Sequence, residues 1–309
     1  MGSQKVPVVD ARFQPLDRSG KASAVAPRRA RGEWRSGWQR FTRNRAAVLC
    51  LGVLLVLIAM ALIGPHMKGY SYEETNYGAS YHRPGAQFWL GTDSFGRDQW
   101  TRLWQGTRIS LFIGVVAAVL DLVVGVTFGA VSAYLGGKTD LVMQRVIDVL
   151  VGIPNLIVVI LLILVLTPGI TTIVIAMTIT GWVGMARLAR SEVFKLKELD
   201  YVLAAKGLGA STSRIIFVHF VPNMAGLIII NMMFTIPHAI FTEAFLSFIG
   251  LGLQEPAASL GVLINTGYHS MQSNSYLLVY PALVIVALMV CFNVIADGLR
   301  DVLDPKMRV

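Results

Sequence analysis

The sequence predicts an all-α, polytopic membrane protein with six transmembrane helices. Of its 309 residues, 54% are apolar and only 15% are charged, a composition too apolar for a soluble domain of this length. Six apolar stretches are also long enough to cross a bilayer. Each crossing is expected to be helical, because lipid offers no hydrogen-bond partner to a free backbone amide.

The six predicted spans contain about 18 to 26 residues each, which corresponds to ~27 to 39 Å of helix against a hydrocarbon core of ~30 Å. In chain order they are roughly Ala46–Ile63, Ile109–Tyr134, Val149–Leu166, Ile170–Leu188, Met224–Leu246 and Leu277–Ile295. Gly125 and Gly129 lie four residues apart in the second span, a pattern that indicates close approach of another helix. Cys50 and Cys291 lie inside spans, so we expect packing roles, with no disulfide and no metal site.

Residues 1–45 form a basic tail with eleven Lys or Arg residues and three acidic residues. Such a tail can bind nucleic acid. Here, however, Arg40, Arg43 and Arg45 lie directly before the first apolar span and favour retention of that end in the cytoplasm. We therefore expect a cytoplasmic amino terminus and no nucleic-acid partner.

The loop charges predict the orientation of the other spans. Lys and Arg residues follow the second, fourth and sixth spans, whereas residues 251–276 contain neither. The positive-inside rule therefore places both termini and the loop between spans four and five in the cytoplasm, and residues 251–276 outside. Residues 67–108 must then also lie outside, although they include Lys68, Arg83, Arg97 and Arg102.

The segment Gly136–Thr139 reads GGKT, which matches the end of a phosphate-binding loop. That loop also requires a glycine at the position of Ser132 and a preceding soluble strand. A glycine turn between two helices explains the segment better. We therefore expect this chain to bind no ATP and no other cofactor.

Ionisable groups inside apolar spans are costly, which makes them functional candidates. Asp121 lies near the middle of the second span, where a translocation role and a hydrogen bond to a neighbouring helix or partner subunit are both open. Glu243 lies in the fifth span, and the nearby Pro237 and His238 favour a place beside a water-filled path. The five histidines have no metal-ligand spacing, and no catalytic site is predicted.

The segment DYVLAAKGLGASTSRIIFVHFVPN, residues 200–223, is a charged, glycine-containing insert between two apolar spans. Its spacing of two alanines, a glycine and a proline resembles the EAA loop of ABC-importer permeases, which docks onto the ATP-hydrolysing subunit. Gly207 and Gly209 would permit a tight turn, and Pro222 would start the next helix. The resemblance implies an ATPase-coupling loop within about 195–222 that includes Ala204, Ala205, Gly207, Gly209, Arg214 and Pro222.

Two further segments resemble motifs of the same family. GTDSFGRDQWTRLWQGTRISL, residues 91–111, resembles the GTDxxGRD signature of permeases for oligopeptides, dipeptides and nickel. By itself it predicts a solvated, salt-bridged lid over the helix ends that includes Asp93, Arg97 and Asp98. FNVIADGLRDVLDPKMRV, residues 292–309, resembles the ending GDGLRDxLDP of that family.

The resemblance implies a C-type permease subunit with the type I ABC-importer fold, located in a bacterial plasma membrane. The implied partners are a second, homologous permease subunit, two cytoplasmic ATP-binding subunits and an extracellular substrate-binding protein. Peptides are the expected substrates, and nickel or another small solute is the alternative. A channel, a receptor and an intramembrane enzyme are more distant alternatives for the function of the chain. The expected organisation is a tail at 1–45, the first span and external segment at 46–107, the permease domain at 108–304, and a cytoplasmic end at 305–309.

Overall fold

The computed structural model describes residue 39 and residues 41–303, apart from the side chain of Leu303. Within this range the chain is mainly helical, and its β-structure is limited to one isolated bridge between Thr92 and Asp98. The expectations for the basic tail up to residue 38 and at residue 40, and for the chain end from residue 304, lie outside the described residues.

The helices are joined by short turns, by one long segment between the first two and by a loop at residues 249–259 between α7 and α8. They are α1 (Arg45–Ile63), α2 (Gln99–Leu135), α3 (Gly137–Gly152), α4 (Asn155–Val165), α5 (Ile170–Leu196), α6 (Asp200–Gly207), α7 (Thr212–Phe248), α8 (Leu260–His269) and α9 (Tyr276–Leu303). Within α7, an α-helical turn (Thr212–Arg214) is followed by a π-helical segment (Ile215–Phe220) and a long α-helix (Val221–Phe248).

Five of the described helices are long and apolar enough to cross a membrane: α1 with the 3₁₀ turn that follows it, α2, α5, α7 and α9. They contain the first, second, fourth, fifth and sixth predicted spans, which are therefore confirmed as long apolar helices. The 37 residues of α2 correspond to ~55 Å of helix, so α2 extends well beyond a hydrocarbon core of ~30 Å.

The third predicted span, Val149–Leu166, is not a single straight helix. α3 and α4 meet at a bend of 81°. Pro154 has no backbone N–H to donate, and Ile153 before it is extended, with φ −92° and ψ 120°, as expected of a residue that precedes proline. α4 has 11 residues, about 16 Å of helix, so a sixth crossing requires both helices of the bent pair.

α2 and α5 pack together through glycines. A β-carbon added at Gly125 would lie 2.7 Å from the backbone oxygen of Trp182, and one added at Gly129 would overlap the backbone oxygen of Ala186. The close approach predicted from the spacing of these two glycines is therefore confirmed. Tight packing makes α2 and α5 a common support for the groups that lie between them.

The two ends of the bundle differ. At one end, residues 67–98, here called the cap segment, lie over the start of α2, and the hydroxyl of Tyr276 on α9 donates to the backbone oxygen of Thr92 at 2.9 Å. At the other end lies the hairpin, residues 200–223. There the ring of Tyr134, in the last turn of α2, is 5.7 Å from the ring of Phe220.

Candidate functional site

The hairpin has the helix–turn–helix form that its sequence predicts. α6 ends at Gly207, and Gly209 has φ +81°, in the left-handed region that favours glycine. The hydroxyl of Ser211 then accepts a hydrogen bond from the amide of Arg214 at 3.4 Å and caps the start of α7. The turn therefore depends on Gly209, whereas Gly207 is helical.

Pro222 occupies the start of the α-helix Val221–Phe248, as predicted, but this is not where the helical arm begins. The π-helical segment Ile215–Phe220 runs directly into that helix, and the amide of Val221 donates to the backbone oxygen of Ile216, five residues earlier. A proline is tolerated at such a change of hydrogen-bond spacing because local adjustment satisfies the backbone. The second arm of the hairpin and the fifth span therefore form one continuous helix.

The hairpin has one face turned to the bundle and one exposed face. Val202, Ile215, Ile216 and Phe220 are buried against the ends of α2 and α5. The exposed face carries large apolar side chains, of which Leu208 is 89% exposed; the others are Tyr201, Leu203, Phe217 and Val218. Several large apolar side chains exposed on one short hairpin are typical of a protein contact site.

The remaining predicted loop residues lie on or beside that surface. Ala204, Arg214 and Pro222 are exposed, and Ala205 is half-buried. The two arms are joined by the side-chain amide of Asn223, which donates to the hydroxyl of Tyr201 at 3.2 Å. This hydrogen bond links the first arm of the hairpin to the start of the fifth span.

The cap segment contains a buried ion network that includes two of its predicted residues. Asp93 accepts a hydrogen bond from Nε of Arg97 at 2.6 Å, and Nη2 of Arg97 donates to Oε1 of Glu255 at 2.9 Å. Arg102 is fully buried, and its Nε lies 3.6 Å from Oδ2 of Asp93. Nη1 of Arg102 donates to the backbone oxygen of Tyr72 at 3.0 Å. The network therefore joins the cap segment to the loop that follows α7.

Asp98 has a different task. Its Oδ2 accepts hydrogen bonds from the amide and hydroxyl of Thr101, at 2.9 and 2.7 Å, and so caps α2. The salt-bridged lid predicted at this place is confirmed, but the prediction that it is solvated is wrong: Asp93, Arg97 and Asp98 are at most 3% exposed. Folding of the cap segment over the helix ends removes these groups from solvent.

Glu255 is the residue of this network that sequence reasoning missed. The available signal was that it is the only charged residue between positions 251 and 276. Burial opposes its charged form, but hydrogen bonds from Arg97 and Thr266 outweigh that effect, so the pKa of Glu255 lies below its usual value of 4.5. The carboxylate is ionised at neutral pH and holds the cap segment to the loop and to α8.

A cavity of about 390 Å³ opens beside this network, between the cap segment and α8. Its lining includes Tyr81, Phe95, Glu255, Asn265 and His269. Aromatic, amide and carboxylate groups thus converge at the cap end of the bundle, opposite the hairpin.

Glu243 is enclosed by serine hydroxyls inside the chain. Ser110 on α2 and Ser247 on α7 donate to its two carboxylate oxygens at 2.7 and 2.8 Å. The same hydroxyls accept from the amides of Leu253 and Leu260, so the cluster joins α2, α7 and α8. The side chain is 0% exposed.

The structure does not bring the three predicted path residues into one cluster. His238 is exposed on α7, whereas Glu243 is buried on another side of the same helix. Asp121 is 7% exposed between α2 and α5, and its Oδ1 has no hydrogen-bond donor in the described chain. A role on a path stays a prediction for all three residues.

The GGKT segment forms a turn at the junction of α2 and α3. Gly136 and Gly137 have φ +65° and +54°, values that few other residues adopt. The first turn of α3 contains Asp140, which receives two hydrogen bonds from Arg190 on α5, at 2.7 and 2.6 Å. The glycine turn expected between two helices is confirmed.

This helical bundle, with its hairpin at one end and its buried cap network at the other, matches a known class of membrane protein. The sequence model of inner membrane components of binding-protein-dependent transport systems matches residues 125–309. A model of the N-terminal transmembrane domain of oligopeptide transport permease C matches residues 32–84. The chain therefore belongs to the family of binding-protein-dependent transport system inner membrane components, and it is a multi-pass permease subunit of an ABC importer.

Individual relatives resemble the chain along almost its whole length. The oligopeptide transport system permease protein OppC of Bacillus subtilis is 45% identical over 296 residues, which cover 96% of this chain and 97% of that protein. The dipeptide transport system permease protein DppC of the same organism is 48% identical, over 88% of this chain and 85% of that protein. OppC of Escherichia coli K12 is 40% identical, over 90% and 93%.

Proposed function

We propose that the chain imports oligopeptides or dipeptides, as one of two permease subunits that together enclose the translocation path. The peptide substrate class is supported by the names of its relatives, which are 45% and 48% identical permeases of oligopeptide and dipeptide systems. In this proposal both termini and the hairpin lie in the cytoplasm, and the cap segment lies outside.

The observation that carries the coupling mechanism is the two-faced hairpin. Its exposed apolar face is available to a cytoplasmic ATP-binding subunit, while Ile215 and Phe220 pack on the ends of α2 and α5. Because its second arm is continuous with the fifth span, a displacement at the ATPase is transmitted as a movement of α7. Closure of two partner ATPase subunits can thus move the helices that line the path.

The cap end is the proposed contact for an extracellular substrate-binding protein. The ion network of Asp93, Arg97 and Glu255 holds the cap segment in one position, and the cavity beside it supplies polar and aromatic groups. A preorganised surface binds a partner at lower entropic cost than a mobile one. The chain itself binds no nucleotide in this proposal.

The experiment is reconstitution of the complete transporter in proteoliposomes, with the binding protein supplied on the side of the cap segment. We expect ATP-dependent accumulation of a labelled tripeptide or dipeptide, and none when this chain is omitted or when ATP is replaced by a non-hydrolysable analogue. Uptake of a nickel chelate without uptake of either peptide would overturn the substrate assignment. Transport without ATP would overturn the importer mechanism.

A further inference from the structure

One face of α5 differs from the lipid-facing surfaces of the other spans. Its exposed residues recur every three or four positions, if half-buried Thr178 is included, which places them on one side of the helix. They are Thr171, Ile175, Gly181, Gly184, Arg187, Ser191 and, in the last turn, Lys195. Ile175 is the only large apolar side chain exposed on α5, all of whose residues are described.

Other spans expose the surface that lipid requires. α1 exposes Leu49, Leu55 and Val56, and α9 exposes Leu283 and Val286, each more than half exposed. α5 also has the lowest mean hydropathy of the five long candidate spans. Its small and polar face is thus unsuited to hydrocarbon and suited to water or to polar solutes.

A carboxylate lies directly behind this face. A β-carbon added at Gly181 would be 2.6 and 2.7 Å from the two carboxylate oxygens of Asp121, so the glycine is what makes room for them. Asp121 is only 7% exposed, and no side chain or amide of the described chain donates a hydrogen bond to it. Gly181 itself is exposed, which leaves the carboxylate only the thickness of a glycine from the free face.

Asp121 and Glu243 therefore differ in what they need. The carboxylate of Glu243 is already satisfied by Ser110 and Ser247. Asp121 has no such donors, so its ionised form at membrane depth requires water, a cation or a donor from outside the chain. The open face at Gly181 and Gly184 is where such a group can reach it.

We propose that Asp121, behind the open face of α5 at Gly181 and Gly184, is a cation-binding point on the translocation path that receives the ammonium group of the passing substrate. The inference rests on the proposed function, because peptides carry an ammonium group at the amino terminus and on lysine. A single carboxylate behind the small residues Gly181 and Gly184 attracts that group without binding the rest of the peptide, so recognition does not depend on the side-chain sequence of the peptide.

The test places a reporter cysteine at Gly184 in the assembled transporter. An added β-carbon meets nothing within 4 Å there, and β-carbons at positions 181 and 184 would lie about 5–6 Å apart. We expect Gly184→Cys to react faster with a trimethylammonium methanethiosulfonate than with its sulfonate counterpart. Adding Asp121→Asn should reduce this cation preference by about tenfold, the effect of one unit charge within ~8 Å in a partly aqueous site.

Two controls accompany the labelling. Val123→Cys lies on α2 two residues from Asp121, on an exposed apolar face, and should react with neither charged reagent. The unchanged protein should also remain unlabelled, because Cys50 and Cys291 are buried. Absence of labelling at Gly184→Cys in every nucleotide state would mean that lipid or the partner permease covers the face, and it would overturn the proposal.

A second measurement identifies the ammonium group. Trialanine should slow labelling of Gly184→Cys by the cationic reagent, N-acetyl-trialanine should not, and Asp121→Asn should abolish the difference. Protection by an N-acetylated lysyl peptide would add the side-chain ammonium as a source. Equal protection by trialanine and its acetylated form would overturn the assignment. Labelling needs only the assembled complex, so its failure is separable from failure of peptide uptake by the unchanged transporter.

Discussion

The hydroxyl of Ser110 on α2 donates a hydrogen bond of 2.7 Å to Oε2 of Glu243 on α7, across 133 positions of sequence and with both residues fully buried. The same hydroxyl accepts from the amide of Leu260 at the start of α8. Glu243 thus connects three helices through hydrogen bonds with the hydroxyls of Ser110 and Ser247. Its carboxyl group is held by the chain's own donors.

This arrangement predicts a stability role for Glu243. Glu243→Ala leaves the hydroxyls of Ser110 and Ser247 without their buried acceptor, and we expect a loss of about 1–3 kcal/mol of unfolding free energy. Thr242→Ala is the matched control, because the hydroxyl of Thr242 bonds only within its own helix, to the backbone of His238. Thermal unfolding of the detergent-solubilised complex measures the difference. Unchanged stability with reduced uptake would instead favour the path role predicted from sequence.

Arg97 should be essential for the stability of the cap segment. Arg97→Met leaves the buried carboxylate of Asp93 without its closest partner, and loss of one member of a buried ion pair costs about 3–5 kcal/mol. Arg83→Met, at an exposed position of the same segment, should change stability by about 0.5 kcal/mol or less. Protease resistance of the cap segment measures both variants. Equal resistance of the two would contradict a structural role for the network.

The lowered pKa of Glu255 predicts a pH dependence. Because its pKa in the folded protein lies below the usual 4.5, its contribution to stability is complete above that pH and is lost as pH falls through the lower, folded value. The unchanged protein should therefore be more stable than Glu255→Gln at pH 7, and the two should converge in acid. Thermal unfolding across this range tests it. A difference in thermal stability between the two proteins that persists or widens in acid would contradict a stabilising ion pair at Glu255.

The turn at Gly209 predicts the behaviour of the hairpin. Gly209→Val forces a β-branched residue into a backbone with φ +81°, where the left-handed conformation costs about 1–2 kcal/mol. We expect loss of substrate-stimulated ATP hydrolysis with normal membrane insertion. Gly207→Ala, where an added β-carbon meets nothing within 4 Å, should couple normally. Wild-type coupling in Gly209→Val would contradict the assignment of the hairpin as the ATPase contact.

The proposed orientation predicts the accessibility of two exposed serines. Ser273 lies between α8 and α9 and Ser213 lies in the hairpin. In intact cells, an impermeant thiol reagent should label Ser273→Cys, and Ser213→Cys only after the membrane is opened. The unchanged protein, with Cys50 and Cys291 buried, gives the background. The reverse pattern would place the hairpin outside and exclude contact with a cytoplasmic ATPase.

Sequence patterns predicted the features that depend on local chemistry. Apolar length identified the long helices, since a chain in lipid has almost no alternative to helix. The spacing of Gly125 and Gly129 indicated a close helix contact, and Gly209 marked the turn of the hairpin. Each of these inferences rests on residues that are near one another in the chain.

Two predictions failed, one because a local signal was overlooked and one because distant segments meet. The third span was predicted as one helix, although Pro154 breaks it and a crossing there requires α3 together with α4. The cap charges were expected to be solvated, because their burial depends on Glu255, which is 158 positions from Arg97. No local pattern contains that information.

The amino-acid sequence by itself determined the helical, membrane-spanning class, the predicted sidedness of the loops and the family motifs, because hydropathy, charge and turn chemistry act over short stretches of chain. Only the tertiary structure decided which of the two intramembrane carboxylates has hydrogen-bond donors from this chain. Glu243 meets serines contributed by other helices, whereas Asp121 lies behind Gly181 without a donor. The desolvation of a buried charge is compensated only by groups that reach it in space, and folding alone determines which groups those are.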